Sequence, residues 1–238
     1  MSGWPAELVK RYARGRELSG VDRAAVKALS PSAGDTVLEL GCGPGTAAAW
    51  GVRTWPKPLR LILTDVSGGF LPLAIEATAE FGGAFACAAD PAAVPLRNGT
   101  VDRVLTMATL HHMSDGSLRQ AFEEVARVIC AEGRFVLVED WAFEEPGDFE
   151  TLAAKIRSFA GHRENHKSVT EWISLAASAG LGLESQRWVP RPFKLPERGA
   201  EGNVQLEDLL RKARTVPQSR RSVRMWMGVF RPCREVRG

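Results

Sequence analysis

The run Val37-Leu38-Glu39-Leu40-Gly41-Cys42-Gly43-Pro44-Gly45-Thr46 constrains this chain more than any other stretch of it. Apolar residues lead to an acid, then to three glycines at alternate positions, then to a helix-prone segment. That is the pattern of a buried strand turning sharply into a helix. Gly41 and Gly43 lack a Cβ, so a ligand can lie directly on the backbone at the turn. The helix behind the loop offers unpaired N–H groups. In open α/β sheets, ligands collect in such crevices at the carboxyl ends of the strands. The nicotinamide fingerprint G-x-G-x-x-G/A fits at Gly41 and Gly43 but meets Thr46 at its third position. The pattern present is E-x-G-x-G-x-G.

The rest of the chain alternates strand and helix. Pro5 opens a helix over 6–18, and Ser19 with Asp22 makes a capping box for a second, over 21–29. Strands are expected at 36–40, 60–64, 84–89, 101–107 and 134–139. Helices are expected at 45–53, 70–80 and 117–130; in the last, Leu118, Phe122, Val125 and Ile129 share one face. This order implies βαβ units and a parallel sheet with the first strand central. Beyond it come a helix within 147–160, a capped helix from Ser168 to about 179, a strand over 181–189, a helix over 204–214 and a last strand over 222–230. The two late strands suggest an antiparallel pair, with the last strand at the sheet edge.

Four segments in order resemble class I S-adenosyl-L-methionine (SAM) methyltransferases of the small-molecule type, the group that includes the ubiquinone and menaquinone C-methyltransferases. They are VLELGCGPGT at 37–46, Asp65 closing LILTD, AADPAAVPLRNGTVDRVLTMATLHHM at 88–113, and FEEVARVICAEGRFVLVED at 122–140. The resemblance implies an α/β, Rossmann-like, doubly wound sheet of seven strands, mostly parallel, with the last strand antiparallel. It also implies N-terminal helices and a lid inserted after strand five. One methyltransferase domain over 1–238 is expected: a helical cap at 1–30, a SAM-binding core at 36–140, a lid at 141–167, and C-terminal helices and edge strands at 168–238.

The cofactor implied is SAM, with no metal. Its expected contacts are Glu39, Gly41, Cys42, Gly43, Asp65, Val66, Ala89, Asp90, Pro91, Met107, Tyr12 and Arg16. Glu39 would meet the ammonium of the methionine part, or else be a buried acid held by loop N–H groups. Asp65 would take the ribose hydroxyls, or else cap the following helix. Asp90 would face the adenine amino group, or else initiate the turn before Pro91. Tyr12 would close over the cofactor, with Arg16 four residues on reaching the carboxylate, or else simply pack its helix. Cys42 reads as a small filler and Asp102 as structural. A base, where the acceptor needs one, belongs at the ends of strands four and five, which carry His111, His112, Glu139 and Asp140, with a histidine best suited because it titrates near neutrality. Paired histidines here more often only shape the pocket. His166 reads as surface or structure, and Trp141 as the tryptophan nearest an acceptor.

Composition narrows the partners. Hydrophobic residues make up 45% and charged ones 25%, with no apolar run near the ~20 residues of a membrane span. Four scattered cysteines lack metal spacing and suggest a reducing compartment, so a cytoplasmic location is expected. Residues 187–238 hold 13 Lys and Arg against 5 Asp and Glu, although the whole chain is only +3. A basic region invites an anionic partner or is a solvated surface. The segment 110–145 also looks like tRNA wobble-uridine modifiers. Nucleic acid is therefore a possible acceptor, but a small molecule is favoured because no RNA-binding module is visible. The sequence does not reveal an oligomeric state.

Overall fold

The computed structural model describes residues 3–140, 142, 145–159, 164–195 and 203–233. Its elements run α1 (Ala6–Gly15), α2 (Gly20–Leu29), β1 (Thr36–Leu40), α3 (Thr46–Thr54), β2 (Arg60–Asp65), α4 (Leu71–Ala77), β3 (Ala84–Ala88), β4 (Val101–Met107) and α5 (Asp115–Val128). They continue with β5 (Ile129–Asp140), α6 (Asp148–Ser158), α7 (Val169–Ser178), β6 (Leu181–Pro192), α8 (Val204–Thr215) and β7 (Ser222–Pro232). The strands form one sheet in the order β3-β2-β1-β4-β5-β7-β6. Strands β1 to β5 pair in parallel, and β7 runs antiparallel to both β5 and β6. This is the Rossmann-like doubly wound sheet that the strand-helix alternation implied.

All five residues of β1 are buried, because helices cover both faces of the sheet. Val37, Leu61, Val136 and Met227 face α2 and α3 on one side. Leu38, Leu40, Phe135 and Phe230 face α5 and α7 on the other, against Phe122 and Trp172. The strand order switches direction at β1, between β2 and β4, so the crevice for a ligand opens at its carboxyl end. At the opposite end, Asp102 accepts a hydrogen bond from the Thr36 N–H at 2.8 Å and fastens β4 to β1, the structural role expected of it.

Several expected boundaries move. Helix α1 stops at Gly15, and Arg16 is already extended. The helix expected over 70–80 is α4 flanked by single 3-10 turns at Gly68–Phe70 and Ala79–Phe81. Thr78 breaks it by donating its hydroxyl to the Ala74 and Ile75 carbonyls. Helix α5 ends at Val128 because Ile129 already belongs to β5, which is longer than expected.

The larger correction concerns β7. It was expected at the edge but lies between β5 and β6, and β6 is the edge. Both of its faces are apolar: Met225 and Met227 pack on one side, Trp226 and Phe230 on the other. A strand with two greasy faces belongs inside the sheet. The edge position of β6 in turn accommodates Pro190 and Pro192, which extend that strand past the expected 189. Among the described residues, no helix is long and apolar enough to cross a membrane.

Candidate functional site

The glycine loop follows β1, and its backbone explains its composition. Gly41, Gly43 and Gly45 have φ of 71°, 52° and 77°, a region costly to residues with a Cβ. A Cβ on Gly41 would fall 2.3 Å from Thr109 Cγ2, and one on Gly45 would fall 2.8 Å from the Ala74 backbone. Gly43 differs: the nearest atom to such a Cβ is Tyr12 Cε1, 3.8 Å away. Gly41 and Gly45 are therefore required for packing, while Gly43 leaves its surface open to the cleft.

Asp65, at the end of β2, ties this loop to the next one. Its Oδ2 accepts from the Gly43 N–H at 2.9 Å and its Oδ1 from the Ser67 N–H at 2.8 Å. It does not cap α4, which begins six residues later, so that alternative is corrected. Burial raises its pKa despite those hydrogen bonds.

Glu39 is 4% exposed, and its Oε2 has no hydrogen-bond partner. Burial, with Asp22 and Asp65 nearby, pushes its pKa up to about 8 against the opposing pull of Arg16. An orphaned buried carboxylate oxygen beside an open glycine is a demand for a cationic donor.

Arg16 is corrected in position. It lies outside α1, so the shared helix face with Tyr12 fails. Its guanidinium is forked onto Asp22, the same carboxylate that completes the α2 capping box. Cys42 is buried, and burial with Glu39 and Asp65 nearby pushes its thiol pKa up, which suits a filler and not a nucleophile. Asp90 accepts from the Ala92 N–H at 3.0 Å, as a turn initiator would.

A cavity of about 120 Å³ lies over the loop. Of the expected residues, Tyr12, Gly41, Gly43, Asp65, Val66, Pro91, Met107 and His112 line it. Glu39, Cys42, Ala89, Asp90, Arg16 and His111 do not. Sequence reasoning missed Trp4, Ser67, Phe70, Ala108 and Thr109, which also line it. Trp4 packs edge-on against Tyr12 and Phe70 at 5.3 and 5.8 Å, and its N–H donates to Ser67 Oγ at 2.8 Å. No periodicity marks so isolated a residue. The cavity falls below the ~300 Å³ of small ligand sites, and this aromatic group forms part of its lining. Ala108 sits at φ 48°, a strained value for a residue with a Cβ, of the kind that clusters at functional sites.

The two histidines play opposite parts. His111 is buried, and its Nδ1 donates to Glu139 Oε2 at 2.5 Å. The other Glu139 oxygen accepts from the Leu110 N–H at 2.9 Å and pins the turn. Burial disfavours charge on His111, but Glu139, Asp140 and Glu164 outweigh it and raise its pKa. His112 faces the cavity. Burial, with the His111 ring tilted against it at a centroid distance of 4.1 Å, lowers its pKa to about 4.

Arg157 of α6 and residues 164–166 are fastened to this cluster. Arg157 bridges Asp140 at 2.5 Å and Glu164 at 2.6 Å, and His166 bonds Glu164 at 2.9 Å. Despite burial, those partners hold the Glu164 carboxyl well below the usual range. Asn165 donates its N–H to the His111 carbonyl at 2.6 Å. His166 is thus structural, as expected, while Trp141 lies outside the described residues. His111, Glu139 and Asp140 place ligand atoms within 4.8 Å of one another, as their places at the ends of strands four and five implied, and so do His111, His112 and Glu164, of which Glu164 was not anticipated.

The basic C-terminal region is largely committed internally. Arg224 is forked onto Glu150 at 2.7 and 2.8 Å and lies 5.2 Å over the Trp188 ring. Arg221 donates to the Val216 and Arg214 carbonyls, and Arg231 pairs with Glu184.

Residues 37–133 match the family model described as a methyltransferase domain. The glycine loop, Asp65 and both histidines lie within that match. Among relatives, an uncharacterized methyltransferase of Bacillus subtilis (strain 168), YcgJ, is 32% identical over 98 residues, covering 40% of this chain and 37% of that protein. The tRNA (carboxymethyluridine(34)-5-O)-methyltransferase alkbh8 of Xenopus tropicalis is 33% identical over 155 residues, 65% of this chain and 23% of that protein. The chain thus spans about a third or less of the length of these relatives. A putative methyltransferase solved in complex with the Haloferax volcanii Trm112 methyltransferase activator shares the fold at TM-score 0.70 and 19% identity, over 98% of this chain and 96% of that one.

Proposed function

We propose that this chain is an active SAM-dependent methyltransferase whose acceptor is a small organic molecule. The observation that carries the reading is the set at the end of β1 and β2: an open Gly43, an orphaned Glu39 oxygen, and Asp65 holding both loops. These residues fit the cofactor. Glu39 would receive its ammonium. Asp65, with one N–H on each oxygen, keeps a lone pair on each for ribose hydroxyls. Val66, Pro91 and Met107 would enclose the base, and Asp90 would face its amino group. When bound, SAM supplies a methyl group made electrophilic by the sulfonium.

The chain's own task is to position the acceptor and dispose of its proton. His112 faces the cavity and is neutral at pH 7, so its imidazole can accept a proton from a hydroxyl, an acidic carbon or an ammonium. His111 does not share that task, because it is buried and its Nδ1 is bonded to Glu139, away from the cavity lining. It holds the turn and suppresses protonation of its neighbour. Trp4 and Tyr12 line the cleft beside His112.

A second reading, methylation of a tRNA nucleoside, draws on the tRNA-modifying relatives. The internal pairing of Arg221, Arg224 and Arg231 weakens it, since a strand-tracking groove needs free cations beside stacking aromatics. Calorimetry with S-adenosylhomocysteine, NAD and bulk tRNA tests both readings. The small-molecule reading expects binding of the first alone at physiological salt. Binding of NAD alone contradicts the cofactor, and salt-resistant tRNA binding promotes the second reading.

A further inference from the structure

A second cavity, of about 450 Å³, opens beside the cofactor cleft. Helix α1 contributes to both walls: Tyr12 lines the first cavity and Gly15 the second, where Arg16, just past the helix, joins it. Asp140, at the carboxyl end of β5, and Arg157 of α6 close its other side. This is the space that the proposed methyl-transfer reading leaves for the acceptor, and the inference rests on that reading.

Four cations line it, Arg16, Arg157, Arg191 and Lys194, against the two acids Glu17 and Asp140. Three of the cations are engaged. Arg16 is forked onto Asp22, Arg157 joins Asp140 and Glu164, and Lys194 pairs with Glu17 at 2.8 Å. Arg191 is the exception. Its guanidinium reaches only the Met225 thioether, at 3.7 Å, and among the described residues no carboxylate pairs with it. A thioether is a weak acceptor, whereas a guanidinium carries five donors in a fork that matches planar anions. The side chain is only partly exposed, so bulk water does not fully replace the missing partner.

The register explains how Arg191 comes to be there. It pairs with Val223 at the start of β7, and Val223 lines the same cavity. Asp140 lies two strands away, through Met225 and Val189. Strand spacing and rise put the two Cα atoms about 12 Å apart, a span that suits a small molecule reaching from the β5 end to the sheet edge.

We infer that the acceptor carries an anionic group, a carboxylate or a phosphate ester, which Arg191 receives at the β6 end of this cavity. Arg191 is thus a specificity-determining residue and takes no part in the chemical step. Its fork also sets the orientation of the acceptor, since a two-pronged contact fixes direction as well as position.

The test is calorimetry with benzoate, phenyl phosphate and the neutral benzamide, with and without S-adenosylhomocysteine. Wild type is compared with Arg191→Gln, Arg191→Lys and the control Arg53→Gln, on the exposed end of α3 and outside the cavity lining. At least one anion is expected to bind tighter than benzamide. Arg191→Gln should weaken that anion tenfold or more, Arg191→Lys less, and Arg53→Gln not at all, with S-adenosylhomocysteine affinity unchanged in all three. Whether benzoate or phenyl phosphate gains more identifies the kind of anion. The inference is overturned if no anion exceeds benzamide, or if Arg191→Gln binds anions like wild type. Should Arg191→Gln fail to fold, the lysine variant decides, because loss of the fork must still weaken binding relative to wild type. Failure of S-adenosylhomocysteine to bind would strike the methyltransferase reading instead, leaving the anion arm to judge Arg191 alone.

Discussion

Replacing Glu39 with Gln should stabilise the empty protein and weaken its hold on the cofactor, and the two effects have a common origin. Glu39 is buried with one unpartnered oxygen and a pKa of about 8, raised from 4.5 chiefly by burial. For an acid with a raised folded-state pKa, the native state binds more protons than the unfolded state between those two values. Stability therefore falls as pH rises through that window. At 1.36 kcal/mol per unit, the loss from pH 4 to pH 8 is about 4 kcal/mol. Gln has the same shape and does not titrate. Urea unfolding without cofactor should find Glu39→Gln gaining about 4 kcal/mol on wild type between pH 4 and pH 8. His111 is the same in both proteins, so its contribution cancels in the difference. Calorimetry with S-adenosylhomocysteine should find the opposite sign: wild type binds more tightly at pH 8 than at pH 6 and releases a proton on binding, while the variant binds at least about tenfold more weakly at pH 8 and without that pH dependence. Equal pH dependence of stability in the two proteins, together with unchanged affinity, would refute the argument.

Three further outcomes follow from the same geometry. Asp65→Ala frees the Gly43 and Ser67 N–H groups, so stability should fall by about 1–3 kcal/mol in chemical denaturation, and S-adenosylhomocysteine affinity by about tenfold or more in calorimetry. His112→Gln should leave that affinity within about twofold and lower turnover by about 10²–10⁴ if the acceptor must lose a proton; unchanged turnover across pH 6–9 would mean the acceptor is already ionised. Trp4→Ala should speed cofactor association in stopped-flow measurements, because Trp4 packs on Tyr12 and Phe70 in the lining of the cavity; a slower association would assign Trp4 to binding rather than closure.

Wherever local chemistry dictated structure, the sequence was readable. The β1 turn, the capping boxes at Ser19 and Ser168, and the acid at the end of β2 all lie where residue type and spacing put them. The place of β7 was misjudged because alternation was read as one buried face, although Trp226 and Phe230 made the second face apolar too. The end of α1 was missed because Arg16, Glu17 and Leu18 continue its pattern, while Gly15 and the Arg16–Asp22 pair stop it. The site's electrostatics could not be read from spacing. The difference between His111 and His112 depends on Glu139, 28 residues away from His111, and on which ring faces the cleft. Arg191 stands out only when the partners of three other cations are known.

The central claim is methyl transfer to a small molecule, and transfer of an isotopic methyl label from SAM tests it most directly. The protein is incubated with labelled SAM, a small-molecule extract and total tRNA, and the label is followed in each fraction by mass spectrometry. The account predicts labelled product in the small-molecule fraction, enriched in compounds bearing a carboxylate or phosphate and lost in the Asp65→Ala variant. Label confined to tRNA, or no transfer by a protein that binds S-adenosylhomocysteine, would contradict it.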